Sequence, residues 1–204
     1  MLFENMKLFI LIFLISNDLI EYCASKCPDG INGQGMSAKS RISVLFWHKY
    51  YRNELIEGTL PNLPKAEKMP EIFYENELEI EAQYLANRCH YEHENVTTKT
   101  WGDVGLNLYM ESSKQFDKTQ EWAQVIYEWW LEQDMYYYGK PIIPAARHFG
   151  QMIWAKTEYI GCGFTLFPIK HPNLTLFHKF YVCAYAPKGN IPNELPYEAV
   201  PGKL

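Results

Sequence analysis

The sequence has no apolar run long enough to cross a membrane as a helix. The run at residues 8–15 (LFILIFLI) is far shorter than the roughly 20 apolar residues that a spanning helix needs, and no second run approaches that length. A cluster of lysine and arginine is also missing, and the formal net charge is −5. These absences argue against nucleic acid or an anionic membrane as the main partner. There is no internal repeat or low-complexity segment, so we expect one globular domain.

The apolar run near the N-terminus is typical of a secretory signal peptide. Lys7 precedes it, and the polar Ser16, Asn17 and Asp18 follow it. A clear small-residue cleavage site is lacking, so cleavage is placed only between Ser16 and Cys23, and residues 1–20 are assigned to the signal peptide. We therefore expect the mature protein to be secreted and extracellular, with no membrane-spanning segment.

Export makes disulfide bonds the expected state of the cysteines, which number five: Cys23, Cys27, Cys89, Cys162 and Cys183. Because the count is odd, one thiol is free or is paired between chains. Two sequons, at Asn95 and Asn173, are predicted sites of surface N-glycosylation in an exported chain.

Apolar residues at helical spacing predict three helices. The first stripe contains Ile42, Leu45, Phe46 and Tyr50. Ser37 or Ser40 can cap this helix, and Gly58 can end it. The second stripe contains Leu78, Ala82, Leu85, Ala86 and Cys89. The third contains Trp122, Val125, Ile126, Trp129 and Trp130, and we expect it to pack a helix on a sheet rather than to line a ligand pocket.

The rest of the chain is predicted to be mainly strands, at residues 106–110, 149–154, 159–167 and 177–185. A loop at residues 168–172 joins the last two. Helices in the first part and strands in the last part favour an α+β fold with an antiparallel sheet.

Two C-terminal segments resemble the signatures of the CAP superfamily of cysteine-rich secretory, antigen 5 and pathogenesis-related proteins. Residues 147–157 (RHFGQMIWAKT) depart from the first signature at Gly150, where the family prefers Thr, Val or Ser. Residues 180–191 (FYVCAYAPKGNI) depart from the second at Ala184. Upstream, residues 48–52 (HKYYR) are similar to the family's first helix. The YCASKC and GNIPNELPY segments look like the insect venom and salivary antigen 5 branch.

This resemblance implies a three-layer α-β-α sandwich with a central antiparallel sheet. It places an irregular cysteine-containing arm at residues 21–36, the CAP domain at residues 37–192 and a short tail at residues 193–204. It also implies a disulfide between Cys162 and Cys183. Cys89 is expected to pair with Cys23 or Cys27; we favour Cys27, which leaves Cys23 free or intermolecular.

The family's central cleft carries two histidines and two carboxylates. Matching positions give His93, His148 and Glu132, whereas Leu106 stands where the second carboxylate is expected. Two imidazoles and one carboxylate can hold zinc or another divalent ion, but leucine supplies neither a ligand nor a base. The resemblance therefore implies a protein that requires no cofactor and is not an enzyme.

The expected function is a secreted, allergen-like binding module. Its partner would be a small hydrophobic ligand, such as a sterol, fatty acid or eicosanoid, or a host protein. The alternatives are a metal-dependent hydrolase that uses the residual cleft and an ion-channel modulator. Channel modulators of this family usually carry a cysteine-rich C-terminal extension, and no cysteine follows Cys183 here.

Overall fold

The computed structural model describes residues 27–202, so the predicted signal peptide and Cys23 lie outside the described residues. Helix α1 (Ala38–Glu57) begins and ends where the sequence indicates. The Ser37 side chain accepts a hydrogen bond from the Ser40 backbone N–H at 3.0 Å, which caps the first turn. Gly58 ends the helix in the left-handed conformation, at φ 69°, which glycine adopts without a steric penalty.

The buried face of α1 is not the one that the apolar stripe predicts. Ile42, Phe46 and Tyr50 are 69%, 56% and 47% exposed. The buried positions include the polar His48 and Arg52. The prediction of a helix was right and that of its buried face was wrong, because these polar side chains find hydrogen-bond partners inside the protein.

The other two predicted helices are present. Helix α2 (Asn76–Ala86) stops before Cys89, whose positive φ of 55° lies outside helical geometry. Helix α3 (Trp122–Leu131) buries Trp122, Trp129 and Trp130 almost completely, which confirms their packing role. A short 3₁₀ helix, Glu132–Met135, follows α3 directly.

The sheet consists of β1 (Gly33–Gln34), β2 (Phe73–Tyr74), β3 (Val96–Thr98), β4 (Gly102–Ser113), β5 (Tyr159–His171) and β6 (Leu174–Ala186). The strand order is β1-β5-β6-β4-β3, and these neighbours are antiparallel. Strand β2 adds a short parallel pairing to β5. The long β5–β6 hairpin forms the centre of the sheet.

Two predictions about the C-terminal half were wrong. Residues 149–154 do not form a strand: a 3₁₀ turn, Pro144–Ala146, leads into helix α4 (Arg147–Met152). The Glu132 carboxylate accepts hydrogen bonds from the backbone N–H groups of His148 and Phe149 in the first turn of α4. The spacing of apolar residues within one segment cannot predict such a distant partner. The predicted loop at 168–172 is also mostly strand, because β5 runs to His171 and β6 starts at Leu174.

Three layers follow from the alternation of side chains along the strands. In β6, Tyr181, Cys183 and Tyr185 face the core under α1, α3 and α4. Phe180, Val182 and Ala184 face the opposite core, under α2. The chain therefore has the expected α+β sandwich, with helices on both faces of a central sheet.

The described residues contain two disulfides. Cys162 and Cys183 are directly paired across β5 and β6. Cys27 is bonded to Cys89, which ties the N-terminal arm to the segment that follows α2.

Candidate functional site

Three of the predicted cleft residues come together beside the middle of β4, where Asn107 contacts His148. His93 lies on the segment after α2, Glu132 starts the 3₁₀ helix after α3, and His148 lies in the first turn of α4. The ring centroids of His93 and His148 are 5.7 Å apart, and the rings are nearly parallel. The ring of Trp129 also lies nearly parallel to that of His148, at 6.0 Å.

Glu132 holds His148 through both of its carboxylate oxygens. The Nδ1 of His148 lies 2.6 Å from Glu132 Oε1, while the backbone N–H groups of His148 and Phe149 donate to Oε2 at 2.9 and 3.1 Å. A carboxylate can only accept, so Nδ1 carries the hydrogen and Nε2 presents its lone pair when the ring is neutral. Nε2 is buried and has no hydrogen-bond partner among the described residues.

The second histidine of the cleft is biased toward its neutral form. Partial burial lowers the pKa of His93, and the neighbouring His148 and Arg147 lower it further, while Glu132 acts in the opposite direction. His93 is therefore biased toward the neutral imidazole where it faces His148.

Leu106 brings no polar atom to this pair. It lies in β4 opposite Ala184 of β6 and packs at the margin of the core under α2. Its neighbour Asn107 points the other way, and its Nδ2 donates to the backbone oxygen of His148 at 3.0 Å. Leu106 therefore supplies no carboxylate to the His93–His148 pair, and the residue of this strand that contacts His148 is Asn107.

The donor set does not fit a catalytic metal centre. Such a zinc site uses three protein ligands and one open position. Glu132 already accepts three hydrogen bonds, so only the two imidazoles of His93 and His148 are left as candidate metal ligands. Within residues 27–202, no group of three or more His, Cys, Asp or Glu side chains is arranged to hold a metal ion.

A buried polar chain supports the cleft from behind, and sequence reasoning missed it. Asn107 Nδ2 also donates to the Tyr185 hydroxyl at 3.3 Å, Tyr185 lies 2.8 Å from His48 Nε2, and His48 Nδ1 lies 2.8 Å from the Val44 backbone oxygen. A neutral His48 that donates from Nδ1 and accepts at Nε2 satisfies every link. Burial lowers the pKa of His48 to about 4 and raises that of Tyr185 well above its usual value.

Arg52 and Gln151 fix the segment that bears the cleft. The buried Arg52 guanidinium donates to the backbone oxygens of Pro70, Met152, Trp154 and Thr157. The Gln151 side chain accepts from the Gly189 N–H at 2.8 Å and donates to the Thr157 hydroxyl at 3.0 Å. These side chains act as structural ties between α1, α4 and the end of β6.

Comparison with known proteins agrees with this architecture. The model of the cysteine-rich secretory protein family, CAP, matches residues 45–185. A venom allergen 5.02 of Vespa crabro is 30% identical over 87% of this chain and 98% of its own length. A salivary antigen-5 of Triatoma infestans is 28% identical over 91% of this chain and 84% of its own.

Solved structures give the same picture. A crystal structure of NaASP2 with Zn²⁺ superposes with a TM-score of 0.66 at 26% identity, and covers 85% of this chain and 90% of that one.

None of the helices in the described part of the chain has both the length and the hydropathy required to cross a membrane.

Proposed function

This chain belongs to the CAP family of cysteine-rich secretory proteins, and we propose from that premise that it is exported and acts by binding rather than by catalysis. Its relatives include proteins named for venom and saliva. We propose an antigen 5-like role in which the secreted protein takes up a small hydrophobic ligand, such as a sterol, fatty acid or eicosanoid.

This proposal depends mainly on one observation: both oxygens of the Glu132 carboxylate accept hydrogen bonds from within the protein. A hydrolase needs a base with a free lone pair beside a nucleophile, or a metal-bound water with such a base. Glu132 instead orients His148 and caps α4. Leu106 stands where the family has its second carboxylate, so this position supplies no second base.

Engagement of a host protein is the second candidate, and the outer face of α1 favours it. Ile42, Phe46 and Tyr50 lie at i, i+4 and i+8 and are each at least 47% exposed. Phe46 and Tyr50 stack with ring centroids 6.4 Å apart. Exposed aromatic side chains of this kind are common at protein interfaces.

Export would also modify the surface. Asn95 and Asn173 are both exposed, and Asn173 lies in the tight turn between β5 and β6. We propose that both carry N-linked glycans once the signal peptide, residues 1–20, has directed the chain into the secretory pathway.

Organic extraction of the protein, secreted from insect cells and purified without detergent, tests the ligand-binding proposal. We expect about one hydrophobic molecule per chain in the extract, identified by mass spectrometry. The variant Phe46→Ser should carry the same amount, because Phe46 belongs to the α1 face and not to a cavity. An extract that contains no lipid of any class would remove this proposal and leave the host-protein role.

A further inference from the structure

An open groove lies beyond α4, between the turn at residues 139–142 and the segment at residues 190–195. Its volume is about 450 Å³, which falls within the range of about 300–1,000 Å³ of small-molecule sites. Its apolar walls are formed by Pro141, Ile142, Ile191, Pro192 and Leu195. The groove is separate from the His93–His148 pair, although Arg147 adjoins both.

The charges around this groove are unbalanced. Lys140 and Arg147 line it, and neither forms an ion pair with any residue of the described chain. Among the described residues that line it, Glu194 is the only acidic one, and it is already paired with Lys156 at 2.7 Å. A groove that combines apolar walls with two cations outside any ion pair is complementary to a ligand that has one anionic end and an apolar body.

The absence of a side chain at Gly150 allows the two walls of the groove to approach each other closely. A Cβ atom at this position would lie 2.4 Å from Asn190 Oδ1 and 2.8 Å from Ile142 Cδ1, which come from opposite walls. The Asn190 side chain also donates to the Arg147 backbone oxygen at 2.9 Å. The close approach of these walls therefore depends on a glycine at position 150, which departs from the residues that the CAP signature prefers.

We propose that this groove binds an amphipathic monocarboxylate, with the carboxylate on Lys140 and Arg147 and the apolar tail along Ile142, Ile191 and Leu195. The guanidinium of Arg147 supplies two parallel donors for the carboxylate, and Lys140 adds a second positive charge. This inference rests on the proposed function, since it names the ligand class and the place where that ligand is held.

Calorimetric titration of the delipidated, secreted protein tests the inference with three probes of equal chain length: decanoate, decanol and decyltrimethylammonium. We expect decanoate to bind at least about tenfold more tightly than the other two. K140Q/R147Q should weaken decanoate about tenfold, because two charge-assisted contacts are lost. Leu195→Asp, at an exposed position, should weaken it similarly by adding a negative charge. Lys68→Gln, at an exposed lysine outside the groove, should have no effect.

The outcomes separate this inference from the proposed function. If decanol binds as tightly as decanoate, or if K140Q/R147Q binds decanoate like the unmodified protein, the inference is wrong while a carrier role stands. If none of the three probes binds, the inference is also wrong, and organic extraction then decides the carrier role by itself.

Discussion

Replacement of Gly163 by alanine is expected to lower the free energy of unfolding by about 3 kcal/mol, which corresponds to a fall in Tm of roughly 10 °C. Gly163 lies in β5 on the face covered by α2. An added Cβ would lie 2.4 Å from the Gln83 backbone nitrogen and 2.5 Å from the Gln83 Cα atom. Since these are backbone atoms, the helix itself would have to move away from the sheet.

The same reasoning applies to Gly161, whose Cβ would lie 2.1 Å from the Glu79 backbone nitrogen. Gly33 in β1 provides the matched control. Its Cβ would meet only the Leu166 side chain, at an ordinary 3.8 Å, so Gly33→Ala should change Tm by no more than 1–2 °C. Thermal unfolding followed by circular dichroism measures all three variants. Equal Tm values for Gly163→Ala and Gly33→Ala would contradict the close packing of α2 on β5.

Acidification from pH 6.5 to pH 4 is expected to cost roughly 3 kcal/mol of stability through His48 alone. Burial lowers the pKa of His48 from 6.5 to about 4 in the folded state. Between these two values the unfolded chain binds a proton that the folded protein excludes. Stability is therefore complete above pH 6.5, falls as the pH drops through this window, and loses no more from His48 below about pH 4.

The molecular reason is the complete burial of His48, which disfavours a charged ring. Its Nε2 accepts from the Tyr185 hydroxyl, and Tyr185 in turn accepts from Asn107. Protonation would place a charge inside the core and would require the Tyr185 hydroxyl to give up its hydrogen bond to Nε2. Urea unfolding at intervals between pH 4 and pH 7 measures the slope, with His48→Gln as the variant without the titrating group. A slope that is unchanged in His48→Gln would show that other groups cause the acid sensitivity.

The sequence alone predicted the elements that depend on local rules. A serine cap at Ser37 or Ser40, the stop at Gly58 and the tryptophan face of α3 follow from side-chain chemistry and spacing. The structure confirms the stop and the tryptophan face, and of the two serines it selects Ser37. The β5–β6 hairpin and the Cys162–Cys183 bond were also predicted, although the strands are longer than expected.

The errors arise where distant residues decide local structure. The buried face of α1 could not be found from apolar spacing, because His48 and Arg52 are buried through partners more than 100 positions away in the chain. The helix at residues 147–152 depends on Glu132, which lies 16 positions before His148. A pattern within one segment carries no information about such partners.

The structure brings three residues of the predicted cleft together, but their hydrogen bonds were not predicted. His93, Glu132 and His148 do meet, as the resemblance implied. Their spacing in the sequence does not indicate that the Glu132 carboxylate orients the His148 ring and caps α4. The groove beyond α4 was not predicted at all, since its walls come from two loops that no periodicity marks.

Native mass spectrometry of the secreted protein, before and after denaturation, tests the central claim most directly. A binding protein should show a mass excess beyond glycans and the two disulfides, equal to one small hydrophobic molecule, and this excess should vanish on denaturation. A bare protein mass under native conditions would contradict the account of a ligand carrier, and the outer face of α1 would then be the place to search for a protein partner.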